Sequence, residues 1–115
     1  MKVSEATPRQ LNYLVAKAEC FDCYLDMSGS GDWVAFVDFS EHTHIHYTPS
    51  EHWGFGGPII ERMRITVEYT GDPDTWCASI MADEEFYGST PLIAAMRCYV
   101  ASKLGDEVDV PKELL

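Results

Sequence analysis

The chain has 115 residues, 46% of them hydrophobic and 12% aromatic, a composition that suits one folded domain and a length too short for two conventional ones. Nineteen acidic against eight basic residues give a net charge of −11, so the surface repels phosphate backbones and nucleic acid is not an expected partner. No apolar run approaches the length needed to cross a bilayer, so no membrane is expected either. Residues 1–15 hold Lys2, Glu5, Pro8 and Arg9 and lack a signal-peptide core, which points to a cytoplasmic protein with reduced thiols.

The first element is a helix. Thr7 suits the N-cap, Pro8 the first helical position, and Gln10 lies three residues after Thr7, as a capping box requires. Leu11, Leu14, Val15 and Ala18 continue the helical stripe to about Glu19. Cys20 to Gly31 breaks the pattern and ends in the loop signal Ser28-Gly29-Ser30-Gly31. Trp33 to Phe39 is rich in strand formers, with Trp33, Ala35, Val37 and Phe39 on one face. From Ser40 through the glycine-rich run to Pro58 the chain reads as a long irregular excursion of the functional kind.

Ile65, Val67 and Tyr69 alternate with Thr66, Glu68 and Thr70, and Trp76, Ala78 and Ile80 alternate after the turn Gly71-Asp72-Pro73-Asp74. These two strands form a β-hairpin. Asp83-Glu84-Glu85 reads as a solvated loop. The second helix opens with Thr90 as N-cap and Pro91 at its first position, and Gly105 ends it. Leu92, Ala95, Met96, Tyr99 and Val100 form its core stripe. The order of elements predicts an α+β fold: a single small domain over residues 1–115, with an antiparallel sheet of about three strands that includes the hairpin. An N-terminal and a C-terminal helix cover the sheet, and residues 106–115 form an extended acidic tail.

Three sets of residues invite a chemical reading. Cys20 and Cys23 form one Cys-x-x-Cys, but Cys77 and Cys98 are isolated and suit core positions, so no zinc ribbon is implied. His42, His44 and His46 at alternate positions would share one face of an extended segment, where two or three imidazoles can ligate zinc; a solvated edge strand explains the same spacing. The run from Tyr47 to Glu61 is the richest. Gly56-Gly57-Pro58 can form a turn that presents backbone N–H groups to an anion or carbonyl, with Tyr47, Trp53 and Phe55 as flat walls. Ser50 lacks a nucleophile-elbow context and suits a helix N-cap better than catalysis.

Tyr47-x-Pro49-Ser50-x-x-Trp53-x-x-Gly56-Gly57-Pro58-Ile59-Ile60-Glu61, then Trp76-x-Ala78, then Gly88-x-Thr90-Pro91-Leu92-Ile93-Ala94-Ala95-Met96-Arg97 resembles the phage NinX-like family. The resemblance spans roughly residues 45–112 and the first helix, and omits residues 20–44. It implies a small accessory protein of tailed phages and prophages, made in the host bacterial cytoplasm, without an established reaction. Accessory phage proteins often counter host defences, an association rather than a physical argument.

The resulting expectation is a non-enzymatic phage accessory protein that binds and interferes with a host component. The preferred mode sequesters a small anionic, nucleotide-like ligand at Tyr47, Ser50, Trp53, Gly56, Gly57, Pro58, Glu61, Thr90 and Arg97, although the net charge opposes the approach of such a ligand. Arg97 lies about two turns into its helix and reaches that site only if the fold brings it back. The alternatives are an acidic inhibitor of a host protein and a metal-assisted hydrolase using the histidine face. No cofactor is expected, and a homo-oligomer is compatible with the exposed aromatic loop. The glycine run and the Thr90–Arg97 helix start should touch.

Overall fold

The computed structural model describes residues 1–26, 33–38 and 43–115; of residues 26, 33–38, 43 and 44 it describes the backbone alone. A short 3-10 turn, Val3–Glu5, precedes α1 (Pro8–Ala18). Three strands follow, β1 (Cys23–Asp26), β2 (Trp33–Asp38) and β3 (Thr43–His46), then α2 (Trp53–Met63). The chain continues through β4 (Ile65–Tyr69), β5 (Trp76–Ile80) and β6 (Phe86–Gly88) into α3 (Pro91–Leu104), and a 3-10 turn at Lys112–Leu114 comes last. The α+β class is as expected. The hairpin β4–β5 pairs Ile65 with Ile80 and Tyr69 with Trp76, and β6 completes an antiparallel sheet in the order β4-β5-β6. A second antiparallel sheet, β1-β2-β3, was not expected: β1 lies in a stretch that reads as loop, and β2 joins this sheet rather than the hairpin's, while β3 is the edge strand that the spacing of His42, His44 and His46 allows. The signal at 28–31 lies outside the described residues.

The capping box of α1 forms as predicted. Gln10 N–H donates to Thr7 Oγ1 at 3.4 Å and Thr7 N–H to Gln10 Oε1 at 2.9 Å, while Gln10 Nε2 also reaches the Leu114 carbonyl at 2.9 Å. The last bond shows that the acidic tail folds back on the body. Val3 N–H donates to the Asp106 carbonyl and Val108 N–H to the Met1 carbonyl, both at 2.9 Å, so Lys2 and Glu107 pair as an antiparallel bridge. Val108 and Leu114 are buried.

α3 is the central element. Its buried residues run Leu92 to Met96 and Cys98 to Val100 because α1, α2, the first 3-10 turn and the β4-β5-β6 sheet cover it on different sides. A helix enclosed in this way loses the polar stripe of a surface helix. One carboxylate ties the three helices together: Glu19 accepts two hydrogen bonds from Arg62 Nη2 at 2.9 Å and one from the Tyr99 hydroxyl at 2.9 Å. Burial, reinforced by that Glu19 bond, pushes the Tyr99 phenol up to about 12.

The largest departure from expectation is α2. The predicted glycine turn is a helix, with Gly54, Gly56, Gly57 and Pro58 inside it. Pro58 has no N–H for the Gly54 carbonyl, a loss worth about 3 kcal/mol in an ordinary helix interior. Tertiary packing offsets it: Ile59 is buried, and Phe55 and Ile60 pack on the core. Arg64 ends the helix in the left-handed region, at φ 54°.

Candidate functional site

Tyr47 to Glu51 is held from below by α1. Asn12 is the anchor, for its Oδ1 accepts from the Ser50 N–H at 3.0 Å and lies 2.7 Å from Ser50 Oγ, while its Nδ2 donates to Glu51 at 3.1 Å. Ser50 Oγ also lies 3.1 Å from the Pro8 carbonyl. With 2% of its surface exposed, Ser50 serves this latch rather than an N-cap. Helix α2 begins instead at His52, after the Thr48 carbonyl has accepted from the Glu51 and His52 N–H groups.

Tyr47 is 4% exposed and sits edge-on between Phe21, 5.3 Å away, and Phe55, 5.1 Å away. Burial, with Glu19 second, pushes its phenol upward. It is a core ring, not a ligand wall. Of the three aromatics in the run, Tyr47, Trp53 and Phe55, Trp53 is the exposed one, at 56%.

The glycines have separate roles. The Gly56 N–H is committed to the His52 carbonyl at 3.0 Å, so it is not a donor for an anion. A Cβ on Gly56 would fall 2.6 Å from Leu92 Cδ2 and closer still to the Pro49 carbonyl oxygen. Gly56 therefore lets α2 approach both the loop before it and the first turn of α3, and the expected contact between the two signature segments exists. A Cβ on Gly57 would meet nothing nearer than Trp53 Cε3 at 3.8 Å. Space does not demand that glycine; it relieves the clash that any other residue before Pro58 would meet in a helix. Glu61 is exposed in the last turn of α2.

The expected site residues separate into two places. Ser50 and Trp53 meet Thr90 across a groove of about 320 Å³, together with Glu51, Leu92 and Ile93. In its lining Thr90 caps α3, accepting the Ile93 N–H on Oγ1 and the Ala94 N–H on its carbonyl, both at 3.1 Å. Pro91 has no N–H, so among the described residues Leu92 alone keeps an uncommitted amide in that first turn. One amide beside the Glu51 carboxylate is poor equipment for an anion. Tyr47, Gly56, Gly57, Pro58 and Glu61 do not line this groove.

Arg97 opens on a different cleft, of about 820 Å³. Its Nη1 donates to the Tyr87 carbonyl at 2.6 Å and its Nη2 to the Ala6 carbonyl at 2.8 Å, joining β6 to the segment before α1. Its buried Nε has no partner among the described residues, and burial lowers its pKa. Five carboxylates line the cleft, those of Asp74, Glu84, Glu85, Asp106 and Glu107, against Lys2 and Arg97. Tyr87 stands half exposed at its edge, with its hydroxyl on Glu85 at 2.7 Å. Reading the sequence in order missed this site. Its acids come from a turn, a loop and the tail, and the only advance signal was the recurrence of acidic runs at 83–85 and 106–109.

The histidine face falls mostly beyond the description: His42 lies outside the described residues, as does the His44 side chain, and His46 is exposed in β3. Among the described residues no three His, Cys, Asp or Glu side chains are grouped to hold a metal ion. Cys20 is exposed and Cys23 half-buried in β1; Cys98 is a buried core residue of α3, as expected, whereas Cys77, in the expected strand β5, is only half-buried and not part of the core. Among the described residues no helix is long and apolar enough to cross a membrane.

No match was found among the curated proteins. The family described as bacteriophage P22, NinX matches residues 2–103, which includes the stretch 20–44 that the motif resemblance leaves out. That span covers every helix from α1 to nearly the end of α3 and both sheets. The chain belongs to this NinX family and is a phage accessory protein.

Proposed function

We propose that the protein acts without catalysis in the host cytoplasm, by binding a host protein through a basic segment and so interfering with it. The observation that supports this reading is the 820 Å³ cleft, lined by five acidic residues against Lys2 and Arg97; Arg97 is already bonded to two backbone carbonyls, and the Met1 ammonium lies 3.6 Å from Glu107. Such a cleft favours lysine and arginine side chains, and the half-exposed Tyr87 ring offers a face on which a cation can rest. The net charge of −11 speeds the encounter with a basic partner. Sequestration of a nucleotide-like anion has less support, because Tyr47 is packed inward, which leaves Trp53 as the one aromatic at the Thr90 groove, and among the described residues that groove offers one uncommitted amide beside a carboxylate.

The test is co-purification of tagged protein from host cells, comparing the parent with E84K/E85K, both at exposed positions. A stoichiometric partner retained by the parent and lost from the variant supports the proposal. A partner held equally by both, or a rise in melting temperature with ATP or another nucleotide, overturns it.

A further inference from the structure

The sheet β4-β5-β6 has two outer edges, and they differ. The edge of β6 is three residues long, its Tyr87 carbonyl is taken by Arg97, and a Cβ on its Gly88 would lie 2.6 Å from the Ala94 nitrogen of α3. That edge is closed. The edge of β4 is five residues long, has no proline, lysine or bulge, and pairs with no strand among the described residues. Such an edge is a template for another strand.

The ladder shows which groups it offers. One step beyond β4, the Thr70 N–H donates to the Thr75 carbonyl at 3.2 Å, so Thr70 and Thr75 form a hydrogen-bonded pair. Such pairs alternate along an antiparallel ladder, so Thr66 and Glu68 also turn their backbone groups toward β5. The N–H and C=O groups of Ile65, Val67 and Tyr69 then point outward, and no hydrogen bond to another element occupies them among the described residues.

We propose that this edge pairs with the same edge of a second copy, making a two-fold dimer with one continuous six-stranded sheet centred on Val67. An antiparallel register with Val67 opposite Val67 and Ile65 opposite Tyr69 uses all five residues and matches outward groups to outward groups. On the face toward α3 it sets Tyr69, 54% exposed in the single chain, beside Ile65 of the second copy. On the opposite face it sets Glu68 against Thr66, with Arg64 of the second copy at one diagonal position and its Glu68 at the other; Arg64, just before β4, is an exposed cation with no ion pair among the described residues. Centring the pairing on Glu68 would set the two carboxylates directly opposite, and centring it on either Thr66 or Glu68 would keep only three of the five strand residues opposite β4 of the second copy, so use of the whole strand selects the Val67-centred pairing. The two-fold axis repeats the Arg64–Glu68 pair, so attraction occurs twice.

Sedimentation equilibrium over a wide concentration range tests this with charge swaps at exposed positions. The parent should show a monomer–dimer equilibrium. E68R brings a second cation up to Arg64 across the axis, and R64E brings a second carboxylate up to Glu68. Each should weaken dimerisation about tenfold. The double variant R64E/E68R restores opposite charges and should recover most of the loss. A parent that stays monomeric, or a dimer indifferent to both single swaps, overturns the proposal.

Discussion

Three glycines in one helix make opposite predictions for the same substitution. At Gly56 a methyl group would lie 2.6 Å from Leu92 Cδ2 and nearer still to the Pro49 carbonyl oxygen. Leucine can yield, but the Pro49 carbonyl belongs to a backbone latched to α1 through Ser50 and Asn12. Overpacking of this kind costs about 1–3 kcal/mol, and the rigid neighbour places Gly56→Ala at the upper end. The intrinsic preference of alanine for helix returns about 1 kcal/mol. The net loss is about 1–2 kcal/mol, a fall in melting temperature of roughly 4–8 °C for a chain of this length. At Gly54 a Cβ meets nothing within 4 Å, so Gly54→Ala keeps the propensity term alone and gains about 0.5–1 kcal/mol. Gly57→Ala falls between them, since the propensity gain is opposed by the clash with Pro58. Thermal and urea unfolding of the three variants measures the series. A Gly56→Ala protein as stable as the parent refutes the close approach of α2 to α3, and a Gly54→Ala protein that loses stability refutes the open space around Gly54.

Asn12→Ala leaves the Ser50 N–H buried without an acceptor while Ser50 Oγ can still turn to the Pro8 carbonyl, so urea unfolding should show a loss of about 1–3 kcal/mol. Tyr99 releases its proton near 10 when unfolded and at about 12 when folded, so its contribution to stability is complete below pH 10 and declines as the pH rises to 12. Urea titrations across that range should therefore give Tyr99→Phe a shallower alkaline decline than the parent, and equal slopes would contradict the raised pKa. Burial pushes the Cys98 thiol up to about 11, so a thiol reagent at neutral pH should label exposed Cys20 well before Cys98, and equal rates would contradict that packing.

Local chemistry explains which elements were legible in the sequence. Thr7, Pro8 and Gln10 announce the start of α1, and Thr90, Pro91 and Gly105 bracket α3, because caps act within a few residues. The hairpin is visible in its alternation. Helix α2 was hidden because its stability comes from what Ile59 and Phe55 touch elsewhere, against the preferences of Gly54, Gly57 and Pro58. The cleft was hidden for a related reason. Lys2, Asp74, Glu85 and Glu107 are far apart along the chain and meet only after the tail pairs with Lys2. Of the expected site, Ser50, Trp53 and Thr90 do converge; the backbone donors assigned to the glycines were lost once the turn became a helix.

The latch between Asn12 and Ser50 also has a kinetic meaning. Ser50 lies in a turn, where amide hydrogens usually exchange with solvent quickly, yet its N–H is buried on a side chain of α1. Deuterium can reach it only when α1 and the turn part company. Its exchange should follow the helix rather than its sequence neighbours, making one loop amide a clock for the opening of α1.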